Sequence, residues 1–215
     1  MPNLRAAIQQ GMNICWDEGY GYNLGGMARS YAEGVDCSGF IGRCLSDAGG
    51  FNYPTTHVGT INMKPELIYA GFTIIPVTSL SQQPQNGDIV VMNHLDLTGG
   101  HTFFYVEGIQ AYTDPNAYSD DIGYVAQAKV EASSTRGHTT QGDHRRDGTG
   151  AYWEVWCHAY NSLYTEYDPS DPNDEIYIAR WPGGLIDKDI IMLKRIRDCQ
   201  FNIDEWNNKF FAPFS

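Results

Sequence analysis

Apolar residues in the first 50 positions recur at helical spacing. Leu4, Ala7, Ile8, Gly11, Met12 and Cys15 share one face, and Asn3 stands where a cap belongs, so a helix is predicted from about residue 4. Cys37, Phe40, Ile41, Cys44, Leu45 and Ala48 form a second stripe behind Asp36, which Gly49-Gly50 ends. The segment KPELIYAG (64–71) predicts a third, short helix with Pro65 in its first turn. Beyond it the pattern changes to β-branched and aromatic runs bounded by turn residues. FTIIPV (72–77), GDIVVM (87–92), HTFFYVE (101–107) and GYVAQAKVEA (123–132) read as strands, with AYWEVWCHAY (151–160) and EIYIARWP (175–182) as two more. The end, DIIMLKRI and then IDEWNNKFF, suggests a strand and a short helix. Helices first and strands afterwards predict an α+β fold, with N-terminal helices packed on an antiparallel sheet.

Between these elements lie the glycine-rich stretch GYGYNLGG (19–26) and two polar loops, STRGHTTQGDHRRDGTG (134–150) and EYDPSDPNDE (166–175). Neither repeats nor an interdomain linker interrupt the pattern. A chain of 215 residues, 42% hydrophobic, suits one domain with a sizeable core. The net charge of −12 gives no electrostatic footprint for nucleic acid or an anionic membrane. No apolar run nears the roughly 20 residues that cross a bilayer. The start, MPNLRAAIQQ, lacks the basic-then-apolar layout of a signal peptide. The expectation is therefore synthesis in the cytoplasm, with any work outside it following release or delivery.

Cys15, Cys37, Cys44, Cys157 and Cys199 are odd in number and form no C-x-x-C, which argues against a disulfide scaffold and a structural zinc site. No metal and no cofactor are expected. His138 and His144 read as surface histidines, and the carboxylates of DHRRDG and DPSDPNDE do not follow the EF-hand spacing. Tyr152, Trp153, Trp156, Tyr160 and Tyr164 could line a groove, but core packing is the plainer reading.

Cys37 has two readings. It lies on an apolar stripe, and free cysteine is among the most buried residue types. Yet it follows a glycine-rich loop and a favoured N-cap, in the first turn where unpaired N–H groups and the helix dipole favour a thiolate. A thiolate nucleophile needs a base. His101 follows Gly99-Gly100 and opens a strand, so sheet pairing would fix it; His94 falls in the preceding loop, and His101 is preferred. In the next strand Lys129, Glu131 and Ser133 share a face. Glu131 is either the acceptor that orients the imidazole through Nδ1–H or an ordinary solvent-facing glutamate.

The ordered set GYNLGG, DCSGF, G-D before a strand, GGHTFFYV and VEASS resembles the NlpC-type cell-wall cysteine peptidases, papain-like enzymes that cut peptidoglycan stem peptides. The resemblance covers about residues 1–137. It implies a single catalytic domain over 1–215, with 138–215 a divergent extension of it. It implies Cys37 as nucleophile, His101 as general base and Glu131 as the third polar residue, where the family more often has histidine. Glutamate at that place is similar to the related CHAP amidohydrolases. Tyr22 matches an aromatic that helps hold the oxyanion, and Ser38 matches the motif by identity, with a structural job. The implied activity is peptidoglycan hydrolysis at a stem-peptide or cross-link amide, by a phage lysin or an injected effector. Its companions would be peptidoglycan itself and a cognate holin, tail or immunity protein. Two rivals use the same residues: a toxin that deamidates or acyl-transfers a host protein, and a non-catalytic virion module.

Overall fold

The computed structural model describes residues 1–14, 22–27, 34–79, 81–113, 122–133, 155–160, 167–182 and 184–185. Three α-helices precede the strands: α1 (Leu4–Asn13), α2 (Cys37–Arg43) and α3 (Met63–Tyr69). Asn3 caps α1, its Oδ1 accepting from the Ala6 N–H at 3.0 Å. The stripe Leu4, Ala7, Ile8, Gly11 and Met12 is buried as its spacing requires. A Cβ on Gly11 would come within 3.0 Å of the Phe40 ring, so glycine here lets α1 and α2 lie close. The second stripe is not one uniform helix. α2 widens after Arg43 into a π-helical turn, Cys44–Ala48, which closes on Gly49. A 3₁₀ turn, Thr60–Asn62, leads into α3.

The strands are β1 (Thr73–Pro76), β2 (Ile89–His94), β3 (Gly100–Tyr112), β4 (Ile122–Ala132), β5 (Val155–Ala159) and β6 (Asp174–Arg180). They form one sheet in the order β1-β6-β2-β3-β4-β5, with each strand antiparallel to its neighbours in that order. The fold is thus α+β, as the pattern predicts. β6, from far along the chain, lies between β1 and β2: Ile178 faces both Ile75 and Val90.

Both sheet faces are covered. One carries Ile89, Val91, Phe104, Val106, Val130 and Tyr177 against the helices. The other carries Val90, Met92, Phe103, Tyr105, Ile176 and Ile178, joined by Val77 and Tyr167. This explains why GDIVVM and HTFFYV are continuous apolar runs rather than alternating ones. Tyr160, from the aromatic group read from sequence, packs edge-on against Tyr105 at 5.1 Å between ring centroids. The remaining aromatic positions of that group have no described side chains, and His138, His144, DIIMLKRI and IDEWNNKFF lie outside the described residues.

Several boundaries differ from expectation. β2 begins at Ile89 and runs through His94, so His94 is a strand end rather than a loop residue. Gly87 and Asp88 form the turn before it. Gly87 has φ +87°, and a Cβ there would lie 2.8 Å from Leu185. Asp88 holds Arg180 of β6 by two bonds, 3.0 Å from Nε and 2.7 Å from a terminal nitrogen. The G-D pair therefore ties β2 to β6. β3 runs on to Tyr112 and pairs with β4 as far as Ile122. The stretch 111–123 begins and ends as strand. Gly108, at φ +68°, marks where the long ribbon departs from ordinary strand geometry.

Candidate active site

The site forms where the start of α2 meets the ends of β3 and β4. Asp36 is the N-cap of α2 in an extended conformation, its Oδ1 accepting from the Gly39 N–H at 2.7 Å. The Ser38 hydroxyl donates to the same oxygen at 3.1 Å. Oδ2 accepts from the Gly25 N–H at 2.8 Å and from His57 Nε2 at 2.7 Å. A carboxylate only 2% exposed is thereby satisfied on both oxygens. Gly39 has its own steric reason, since a Cβ there would stand 1.9 Å from the Gly26 carbonyl. The four letters DCSG thus encode a cap, the first helical residue, a hydroxyl for the cap and room for the neighbouring loop.

That loop, residues 22–27, is stitched to the strand-like run before Asp36. The Asn23 N–H donates to Val35 O at 3.0 Å, and the Asp36 N–H to Gly26 O at 3.1 Å. It brings the Tyr22 hydroxyl within hydrogen-bond range of both the sulfur and the backbone N–H of Cys37. Burial, then the charges of Cys37 and Asp36, push the phenol's pKa well up, so it stays protonated at neutral pH and can donate.

Cys37 is 5% exposed, and its thiol is 3.9 Å from the Gly100 carbonyl. Gly100 must be glycine: a Cβ would fall 2.0 Å from the Thr60 hydroxyl. The next residue, His101, bonds Glu131 Oε2 through Nε2 at 2.7 Å. Strand alternation explains the meeting. Tyr105 pairs with Lys129, so His101 and Phe103 project from the same face as Lys129 and Glu131. Glu131 is 1% exposed, not a solvent-facing residue. The contact uses Nε2 where Nδ1 was expected, which leaves Nδ1 for the sulfur. Burial of the ring opposes a positive charge, but the Glu131 carboxylate, the hydrogen bonds to Cys37 and Glu131, and the Cys37 charge outweigh it. His101 is pushed up to about 10. The arrangement sets a protonated imidazole beside the Cys37 sulfur.

The other residues singled out from sequence sit elsewhere or serve differently. His94 Nδ1 bonds Asp174 Oδ1 at 2.6 Å, and its ring stacks on Tyr167 at 4.4 Å. Ser38 is 3% exposed, and its hydroxyl is engaged by Asp36 and lies 3.1 Å from His57 Nε2. His57 was missed by the sequence reading. It occupies a stretch with no periodicity, and only tertiary packing brings it to the cap. The one available signal was chemical: a capping aspartate uses one oxygen on its helix, so a buried Oδ2 needs donors from elsewhere. Among the described residues no group of three or more His, Cys, Asp or Glu side chains could hold a metal ion.

No curated protein and no solved structure matches the chain. The model of the NlpC/P60 family matches residues 19–140, more than half of the 215-residue sequence. Members of this family are cysteine peptidases and amidases that act on peptidoglycan. The matched stretch contains Tyr22, Cys37, His101 and Glu131, gathered by the fold at one end of the sheet, and the chain belongs to the NlpC/P60 family.

Proposed function

We propose that this protein is a peptidoglycan hydrolase that cleaves an amide bond of the stem peptide or cross-link by a Cys-His-Glu thiol mechanism. The observation that carries the reading is the line Cys37, His101, Glu131, with the carboxylate 2.7 Å from the imidazole and the thiol acting on its protonation. The Cys37 thiolate attacks the amide carbonyl carbon, and the carbonyl electron pair moves to oxygen. The Tyr22 hydroxyl and the Cys37 N–H, which converge beside the sulfur, stabilise that oxyanion. Collapse of the intermediate breaks the C–N bond as the His101 imidazolium delivers its proton to the leaving amine. A thioester remains. Neutral His101 then takes a proton from water, whose oxygen attacks the thioester and releases the carboxylic acid and the thiol. Glu131 orients the ring and stabilises its charged form. Ser38 acts through Asp36, keeping the cap that presents Cys37.

With a net charge of −12 the protein gains nothing from attraction to an anionic wall, so contacts in the groove must supply the specificity. The setting we propose is a phage lysin or an injected effector, which turbidity loss on adding the protein to intact and to permeabilised cells would examine. The decisive experiment incubates purified peptidoglycan with the protein and with Cys37→Ala and identifies the products by mass spectrometry. The wild type should release muropeptides with a newly exposed amine, and the variant none while keeping its circular dichroism. Equal release by the variant would end the proposal.

A further inference from the structure

At the cap of α2, bonded to Asp36, lies a second imidazole that the mechanism above does not use. We infer that His57 is a positioning residue, which acts through Asp36 to hold the nucleophile's helix start and the Tyr22 loop in one arrangement. The inference rests on Cys37 being the reactive thiol.

A carboxylate can only accept, so the 2.7 Å contact makes His57 Nε2–H the donor and Asp36 Oδ2 the acceptor. Capping does not need this bond, because Oδ1 already takes the Gly39 N–H. What the bond adds is a link between segments. Asp36 accepts from Gly25 in the Tyr22 loop, from Ser38 and Gly39 in α2, and from His57 beyond Tyr53. Without His57, Oδ2 keeps the Gly25 N–H alone among these bonds, and the loop and helix lose a common anchor. Electrostatics point the same way. Asp36 carries a buried negative charge one residue before the sulfur, and that charge already acts on the Tyr22 phenol. Each donor to the carboxylate draws its field away from a thiolate that must form beside it. Packing alone does not account for the residue: the His57 side chain is 29% exposed.

The test measures the rate at which iodoacetamide alkylates Cys37, with product mapping by mass spectrometry, beside the thermal midpoint. His57→Leu keeps bulk and removes the donor. Its alkylation should slow roughly tenfold, the worth of a hydrogen bond to a charged group, while its midpoint stays within about 5 °C of wild type. His57→Gln, which can bring an amide N–H to Oδ2, should recover most of the rate. If His57→Leu does not fold, His57→Asn, polar but too short to reach Asp36, takes its place. Alkylation of the Leu or Asn variant at the wild-type rate would overturn the inference, and so would a Gln variant as slow as Leu. Because the reagent needs no wall substrate, these outcomes stay separate from the muropeptide result: a wild type inert on peptidoglycan defeats the proposed function and leaves the alkylation comparison standing.

Discussion

Two histidine–carboxylate pairs stand at the same end of the sheet and differ in consequence. His101 meets Glu131 at 2.7 Å and His94 meets Asp174 at 2.6 Å, each with a carboxylate side chain no more than 6% exposed. Bond length and burial therefore do not separate them. Their third partners do. His101 has the Cys37 thiol on its other side, whereas His94 lies flat on Tyr167, and Asp174 spends its second oxygen on the Asp168 N–H at 2.8 Å. The first pair is aimed at a reacting group, and the second fastens the loop before β6 to the end of β2. A polarised imidazole is a site only when something is placed to receive its proton.

Exchange of the two histidines for alanine is the strongest way to break this contrast. His101→Ala should lower muropeptide release on the order of 10²–10⁴-fold. His94→Ala should leave the rate near wild type and instead cost stability, about 1–3 kcal/mol in urea unfolding, since Asp174 would keep a buried oxygen without its donor. Equal rate losses for the two would mean that the third partner does not matter. Glu131→Gln sharpens the contrast further. It removes the leading cause that raises His101, so the rate should fall roughly 10–100-fold and the alkaline limb of its pH profile should move below about 10. The sign follows from the direction of the shift. A histidine raised above its usual value of about 6.5 gives stability that is complete below that pH and lost as pH climbs through the folded value near 10. Unfolding midpoints of wild type and Glu131→Gln should accordingly differ most below about pH 6.5 and converge above pH 10.

Local pattern made the helices, the strands and the order of the reactive residues readable. Asp36, Cys37 and Ser38 announce themselves because capping is decided by near neighbours, and His101 does so because two glycines and a strand signal bracket it. His57 carries no such mark, since its partner is 21 residues away and the connecting chain has no period. The ring nitrogen that meets Glu131 could not be read either, because it depends on the rotamer of His101 within the finished ladder. Strand order was equally hidden. Continuous apolar runs say that a strand is buried on both faces, but nothing in EIYIAR says that it lies between TIIP and IVVMNH.

That last placement reaches beyond architecture. The family match stops at residue 140, yet the sheet is closed by a strand that begins at Asp174, with Arg180 locked to Asp88. During synthesis β1 waits about 98 residues and β2 about 80 before β6 can pair with them, so this side of the sheet should be among the last parts to become rigid. A fragment ending at residue 140 should then give broad, uncooperative urea unfolding, and a sharp two-state transition from it would show that β6 is dispensable. The matched segment alone therefore does not hold every strand of the sheet, and the chain's own later sequence supplies the one that joins β1 to β2.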